Sequence, residues 1–197
     1  TGMAVSSVHL MTVNLNIKDS PAGYTPPVGP PVRFMIRYNS RDANQPANFH
    51  YSNFGPKWTC DWIAYIMDNP FSLSANVKYY VMGGGARRYE GFDTNTQAFA
   101  VNDLDQTRLI RTAISPIRYE LLEPNGSKLI FSENGGTVGT VRKVFLKRIE
   151  DPAGNALTLG YDGLLRLATV TDAIGQVTTL DYGLTNDVLK VTKVTDP

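Results

Sequence analysis

The chain has 197 residues, 42% of them hydrophobic, which is enough to bury a substantial core without disulfide bonds. Its 19 Lys and Arg balance 18 Asp and Glu, and the net charge of +1 gives no field that would attract nucleic acid or an anionic membrane surface. One cysteine and two histidines exclude an intramolecular disulfide and leave little material for a zinc site. The apolar runs are far shorter than a membrane-spanning helix, so we expect no membrane insertion.

The amino-terminal 31 residues are predicted to form a strand and a proline-rich strap. Loose hydrophobic alternation over residues 8–17 predicts the strand, and residues 18–23 are typical of a turn. Four prolines within residues 26–31 lack backbone donors, which favours an extended strap over a central strand. A polyproline ligand for another protein is the alternative interpretation of this segment.

Residues 32–145 are predicted to be a β-region built from hairpins. Alternation over residues 32–38 predicts a strand, and residues 60–66 predict an aromatic strand with Trp58 and Trp62 in the core. Gly83 to Gly85 and the Pro-Asn-Gly sequence at residues 124–126 are each typical of a hairpin turn. With 17 glycines and 12 prolines separating short β-branched runs, the chain is predicted to be all-β, with antiparallel hairpins and meanders in a repeat-type sheet.

Residues 146–197 are periodic. The first unit is DPAGNALTLGYD, beginning at Asp151, and the second is DAIGQVTTLDY, beginning at Asp172. In both units glycine follows aspartate by three positions (Gly154, Gly175) and tyrosine follows glycine by seven (Tyr161, Tyr182). We expect each unit to be a turn, a strand, a second turn and a second strand, with the last strand over residues 188–195. Such hairpins need stacked neighbours to bury their faces, so we expect these residues to be a fragment of a longer chain.

The spacing of this unit resembles the tyrosine–aspartate repeat of the RHS (rearrangement hot spot) family. Residues that match the family pattern in the first unit are Gly154, Tyr161, Asp162, Arg166, Leu167, Val170, Thr171 and Asp172. The second unit departs from the pattern, because Gly183 stands where the aspartate after Tyr182 is expected and no arginine corresponds to Arg166.

An upstream segment is also similar to the opening part of RHS proteins. Tyr38, Asn39, Ser40 and Arg41 match the end of its strand, and Phe54, Gly55, Pro56, Lys57 and Trp58 match its turn. The resemblance implies an exported or cell-surface bacterial protein, whose repeats form a hollow β-shell around a carboxy-terminal toxin or effector. It further implies that the partners are the remaining repeats and the cargo of the same polypeptide.

No recognised catalytic or cofactor-binding motif occurs, and we predict no enzyme activity, no cofactor, no metal and no catalytic residue. His50 with Cys60, and the carboxylate pairs Asp103 with Asp105 and Glu150 with Asp151, are weak candidates because nothing positions them across a cleft. The alternative function is a carbohydrate-binding or adhesive surface domain, in which some of the 10 tyrosines and two tryptophans would stack on sugars. Most of these tyrosines alternate with aliphatic residues, however, which indicates a core face.

Overall fold

The computed structural model describes residues 3–197, and within this range it contains strands and turns but no helix. The all-β prediction is confirmed. The fifteen strands are β1 Val5–His9, β2 Asn14–Tyr24, β3 Val32–Asn39, β4 Trp58–Cys60, β5 Tyr65–Asp68, β6 Val77–Tyr80, β7 Ala86–Tyr89, β8 Arg108–Ile114, β9 Ile117–Leu122, β10 Lys128–Val138, β11 Val141–Glu150, β12 Ala156–Tyr161, β13 Leu167–Thr171, β14 Val177–Asp181 and β15 Lys193–Thr195. No helix in residues 3–197 is long and apolar enough to cross a membrane.

Two antiparallel sheets organise these strands. A small sheet has the order β1-β2-β3-β4, and a large sheet has β8 to β15 in sequence order, so that each strand pairs with the next along the chain. The large sheet also branches at β11, whose first half pairs with β5 while its last residues pair with β12. Strand β6 pairs with β5, and β7 pairs with β6. These three strands, the β5–β7 ribbon, therefore join the large sheet through the pairing of β5 with β11.

The small sheet differs from the predicted arrangement at its first turn. The chain reverses between His9 and Asn14, and β2 then continues as far as Tyr24 through the residues expected to turn. A shift in the pairing register between Asp19 and Ala22 accommodates Pro21 as a bulge, because proline has no N–H for the ladder. The predicted turn over residues 18–23 is therefore wrong.

The proline-rich residues 25–31 form an irregular connection between β2 and β3, as the missing donors predicted. This strap passes the turns of the periodic region, since a Cβ built on Gly29 would lie 2.8 Å from the Cβ of Ala173. Next to it, the Tyr24 hydroxyl donates a hydrogen bond to Oδ2 of Asp172 at 3.1 Å. The strap therefore holds the small sheet against the large one.

The predicted aromatic strand over residues 60–66 is divided in two. The chain turns after β4, where the Ile63 N–H donates to the Cys60 carbonyl at 3.1 Å, and resumes in the other sheet as β5. Trp62 at this crossing is 2% exposed, whereas Trp58 is only half-buried and packs against Tyr38 with ring centroids 5.2 Å apart. The turn places aromatic side chains in both sheets, which a single strand could not do.

Aromatic side chains fill the interior where the small sheet meets the β5–β7 ribbon. Tyr65 stacks on Tyr80 with centroids 4.9 Å apart, and Tyr51 and Phe145 pack on Tyr65 at 5.5 and 5.2 Å. The Tyr51 and Tyr65 hydroxyls are hydrogen-bonded to each other at 3.1 Å. Burial raises the pKa of both phenols, so they are neutral and serve as packing groups with satisfied hydroxyls.

A buried ion pair fastens the ribbon to β11. Asp68 has a side chain that is 3% exposed, and it accepts hydrogen bonds from Nε of Arg142 at 2.9 Å and from the Tyr119 hydroxyl at 2.8 Å. The hydrogen bonds to Asp68 raise the pKa of Arg142, and burial followed by the Asp68 charge raises the pKa of Tyr119. Three strands therefore share one carboxylate in a nearly dry site.

We expect Arg142→Leu to lower the free energy of unfolding by about 3 kcal/mol or more, because it leaves the Asp68 carboxylate buried without its cation. Chemical denaturation at neutral pH measures this loss. Arg118→Leu is the matched control, since Arg118 is 41% exposed in its pair with Glu120 and a surface pair contributes less than about 1 kcal/mol. Equal losses for the two variants would contradict a structural role for the Asp68 pair.

Candidate functional site: the hairpin wall

Five turns of the large sheet share one five-residue geometry, at residues 81–85, 123–127, 151–155, 162–166 and 172–176. In each, the N–H of the first residue donates to the carbonyl of the fifth, and the N–H of the fourth donates to the carbonyl of the first, at 2.9–3.2 Å. The fourth residue always has a positive φ: +100° at Gly84, +89° at Gly126, +87° at Gly154, +59° at Leu165 and +90° at Gly175. The geometry therefore extends beyond the two glycine turns predicted from the repeat and includes one turn without glycine.

Aspartate is the first residue of three of these turns, because its carboxylate accepts hydrogen bonds from turn N–H groups that have no partner in a neighbouring strand. Oδ1 of Asp151 accepts the N–H groups of Ala153 and Asn155, both at 2.9 Å. Oδ1 of Asp162 and of Asp172 accept the N–H groups at the same two offsets, at 2.9–3.0 Å. Hydrogen bonds led by the Asn155 side chain lower the pKa of Asp151; at Asp162, burial opposes ionisation, but hydrogen bonds from Arg166 outweigh it and lower the pKa.

The two repeat tyrosines make the same contact one unit apart. The Tyr161 hydroxyl donates to the Leu146 carbonyl at 2.7 Å, and the Tyr182 hydroxyl donates to the Leu167 carbonyl at 2.8 Å, each across 15 residues of chain. Both rings are half-buried, and burial raises the pKa of Tyr182 to about 12. Each tyrosine thus fastens the end of its unit to a strand of the preceding one.

The second unit loses its hairpin where its sequence departs from the first. Asp162 is paired with Nε of Arg166 at 2.7 Å, and the Arg166 guanidinium lies 4.6 Å from the Tyr182 ring centre. Gly183 supplies no carboxylate at the equivalent position, and residues 183–192 form an irregular loop. The predicted strand over residues 188–195 is therefore wrong, because only β15 remains of it.

An upstream segment occupies the place of the missing hairpin. The Asn53 N–H donates to the Leu189 carbonyl at 3.0 Å, and the Val191 N–H donates to the Asn53 carbonyl at 2.9 Å. The Asn53 side chain in turn accepts the Gly55 N–H at 3.0 Å, and Gly55 has a φ of +98° beside Lys190. The family-like turn therefore lies against the degenerate repeat, which is more than 130 residues away in the chain.

Ser52 closes a ring of hydrogen bonds with the second repeat tyrosine. The Leu167 N–H donates to the Ser52 hydroxyl oxygen at 2.6 Å, and the Ser52 and Tyr182 hydroxyls are 2.6 Å apart. Since Tyr182 donates to the Leu167 carbonyl, Ser52 is the donor to Tyr182. Sequence inspection did not single out Ser52, because a serine in a polar loop carries no signal of a partner so distant in the chain.

The remaining family-like residues lie together at the start of β4. Tyr38 packs on Trp58, and the Asn39 N–H donates to the Lys57 carbonyl at 3.0 Å. The Asn39 side chain accepts the N–H of Arg41 at 3.0 Å, and Arg41 itself is exposed. The two halves of the motif thus contact each other through strand pairing and one polar turn.

The candidate chemical groups differ in exposure or are engaged in ion pairs. His50 is exposed, whereas Cys60 is fully buried and burial raises the pKa of its thiol to about 12, which makes it a poor nucleophile. Asp105 is paired with Arg87, and Glu150 with Lys128. Within residues 3–197, no three His, Cys, Asp or Glu side chains form a group that could hold a metal ion.

Sugar stacking would require exposed aromatic rings, and the tyrosines and tryptophans do not provide them. Every Tyr and Trp is buried or half-buried in the part of the chain that the structure describes. Six tyrosines are at most 5% exposed, namely Tyr51, Tyr65, Tyr79, Tyr80, Tyr89 and Tyr119. Most of these rings are therefore packing groups, and the rings left to the carbohydrate-binding alternative are the half-buried Tyr24, Tyr38, Trp58, Tyr161 and Tyr182.

We expect Gly154→Ala and Gly175→Ala each to lower the free energy of unfolding by about 1 to 2 kcal/mol, since an L-residue is strained at these positive φ values. A Cβ at either position meets nothing within 4 Å, so the loss reports backbone strain alone. Gly163→Ala is the matched control, because its Cβ is equally free and its φ is not positive. Thermal or denaturant unfolding that gives the same result for all three variants would contradict this turn geometry.

We expect Ser52→Ala and Tyr182→Phe each to lower the free energy of unfolding by about 1 to 3 kcal/mol, and to be strongly non-additive because they interrupt the same ring. A double-mutant cycle in chemical denaturation measures the coupling energy. Tyr161→Phe with Ser52→Ala is the control pair, because Tyr161 makes the equivalent carbonyl contact without Ser52. Additive losses in the Ser52–Tyr182 pair would show that the ring does not join the two segments.

Comparison with known proteins does not place the chain in a family. No family profile matches this sequence, and no curated protein matches it. The likeness to RHS proteins therefore depends on the residues of this chain, and any function drawn from it is a proposal.

Proposed function

We propose that this chain is a non-catalytic wall segment of an RHS-type β-shell, which encloses or presents a toxin or effector carried towards the carboxy terminus of the same polypeptide. The observation that carries the proposal is the pair of units whose aspartate turns and tyrosine contacts coincide at a spacing of 21 positions. Each unit adds two strands to one continuous sheet, joined by a tight turn in the first unit and by an irregular loop in the second. Repeating such a unit enlarges the sheet, because each added strand pairs with the one before it in the chain.

The long-range fastenings support this role. Hydrogen bonds from Tyr24 to Asp172 and from the Gly23 N–H to Asp196, the latter at 2.9 Å, attach the amino-terminal sheet to the turns of the repeats. The Ser52 ring attaches a second upstream segment to the opposite ends of the same strands. A wall fastened along both ends of its strands is well suited to exclude proteases and partners from an enclosed cargo.

No catalytic step is part of the proposal. The dispersed carboxylates and the buried Cys60 provide no nucleophile with an adjacent base, and the mechanism is enclosure by main-chain hydrogen bonds. The proposed partners are the further repeats and the cargo, and the proposed location is outside a bacterial cell. Hydrolysis of a glycan panel by the purified chain would contradict this part of the proposal.

The coding sequence that follows Pro197 gives the first test of enclosure. We expect further units with the same Asp, Gly and Tyr spacing, followed by an unrelated carboxy-terminal segment. That segment is expected to resist limited proteolysis in the intact polypeptide and to be degraded rapidly when expressed alone, because the wall blocks access. The absence of further units, or equal cleavage rates in the two forms, would overturn the proposal.

A permuted protein supplies the control. The same carboxy-terminal segment, fused through a flexible linker before the amino terminus of the intact protein, is expected to be cleaved as fast as the free segment. Protection in both positions would show that the segment is intrinsically resistant, and enclosure would then not explain its survival.

A further inference from the structure

Strand β11 carries one half-buried cation that has no acidic partner. Its other basic residues, Arg142, Lys147 and Arg148, are each paired with a carboxylate. Lys143 is the exception, because among the described residues no carboxylate lies within ion-pair distance of its Nζ and no hydrogen bond joins that atom to another side chain. The Nζ lies 5.8 Å from the centre of the Tyr65 ring, and burial lowers the pKa of the amine. A desolvated cation of this kind is stabilised by an anion that reaches it.

A β-bulge leaves room beside Lys143. The register of β10 with β11 shifts at this point, so that two residues of β10, Gly135 and Gly136, lie opposite Lys143 alone. A Cβ built on Gly135 would collide with the Phe145 ring, whereas a Cβ built on Gly136 would meet nothing within 4 Å. The neighbouring strand therefore offers Lys143 no side chain.

The bulge borders a cavity of about 50 Å³, which has room for roughly four water-sized groups. Lys143 and His50 both line it, and no carboxylate does so in the part of the chain that the structure describes. The rest of the wall is mainly apolar and includes Pro46, Tyr51, Val138, Val141, Phe145 and Leu165. A ligand in this cavity would thus meet two basic side chains and a largely apolar wall.

Lys147, four residues further along β11, shows the contact that Lys143 lacks. Its Nζ lies 5.4 Å from the centre of the Tyr161 ring and 2.9 Å from Oε2 of Glu133. Both lysines therefore lie over a tyrosine ring, but only Lys147 has a carboxylate beside it. At Lys143, the neighbouring strand supplies two glycines and a cavity in its place.

We propose that this cavity binds a small aliphatic carboxylate of the size of acetate or propionate. The carboxylate group would accept charge-assisted hydrogen bonds from Lys143 and from protonated His50, and the alkyl group would lie against the apolar wall. A carboxylate is favoured over inorganic phosphate, because a phosphate ion has no apolar part to place there. This site does not depend on the enclosure of a cargo.

The protonated amine is the form of Lys143 that binds an anion. The titratable groups near it are His50 and the phenols of Tyr51 and Tyr65, and burial raises the pKa of both phenols, so they stay neutral. A bound carboxylate is therefore expected to raise the pKa of Lys143, and binding is expected to weaken as the pH rises through that pKa.

Titration with sodium propionate at pH 6.5 and constant ionic strength tests the site, with the amide resonances of Gly135 and Gly136 as reporters. We expect saturable shifts in the wild-type chain and none with propionamide, which has a similar shape without the charge. Lys143→Met removes the charge at nearly constant length and is expected to raise Kd about tenfold or more. Lys147→Met is the matched control, because Lys147 already has Glu133 as its partner, and Kd should be unchanged in that variant.

A carboxylate supplied by the chain itself gives an independent test. Gly136→Asp places an acidic group at the cavity, and aspartate tolerates the φ of +77° at this position better than most residues. We expect this variant to raise the pKa of Lys143 and to lose propionate binding, whereas Gly136→Asn, which has the same shape without the charge, retains it. No saturable shift in the wild-type chain, equal binding of propionamide, an unchanged Kd in Lys143→Met, or equal effects of the two Gly136 variants would overturn the proposal.

Discussion

The five-residue turn with a left-handed fourth position is the constraint on which the large sheet depends. It fixes the loop length, and a fixed loop length fixes which residues of successive strands face each other. The residues at the corners satisfy the constraint in different ways: Gly154 and Gly175 adopt the conformation freely, while Leu165 adopts it at a φ of +59° and is half-buried against the core. Packing at one corner thus offsets a strain that glycine avoids at the others.

The turn also explains why aspartate and tyrosine occur at their positions in each unit. The aspartate carboxylate binds the N–H groups that a reversing chain leaves without strand partners, and the tyrosine hydroxyl binds a strand carbonyl of the preceding unit. Both are contacts of a side chain with the main chain, and they need no complementary side chain elsewhere. A unit built in this way can be repeated while its outward-facing residues vary.

Local pattern was sufficient to predict much of this structure. The all-β class, the glycine hairpin between β6 and β7, the hairpin between β9 and β10 and the left-handed glycines of the repeats all depend on residues close together in the chain. The turn predicted at residues 18–23 is wrong, because β2 pairs with strands on both sides and this pairing outweighs the turn preference of the residues. Prediction also failed at residues 60–66, where the chain changes sheets in mid-segment, because alternation does not reveal which sheet a strand joins.

The long-range parts of the site could not be predicted for a different reason. Ser52, Asn53 and Asp68 each act on residues far along the chain, and their types are common in ordinary polar loops. Whether such a residue is buried depends on the curvature of the sheets and on the branch at β11, and neither is encoded in a short window. The family-like turn at Gly55 was recognised by its residues, but its contact with the degenerate repeat became visible only in three dimensions.

That contact changes how the repeat region holds together. In a simple solenoid each unit is stabilised by its neighbours, and the loss of a turn weakens the array at that point. Here the carboxylate lost at Gly183 is offset by Asn53, whose backbone pairs with Leu189 and Val191 in place of a local hairpin. The loop before β15 is therefore held by an upstream segment in addition to its own contacts, such as the hydrogen bond from the Gly183 N–H to the Thr192 hydroxyl at 2.8 Å. Because β15 follows that loop directly and pairs over only three residues, its position in the sheet depends on a segment that precedes the repeats in the chain.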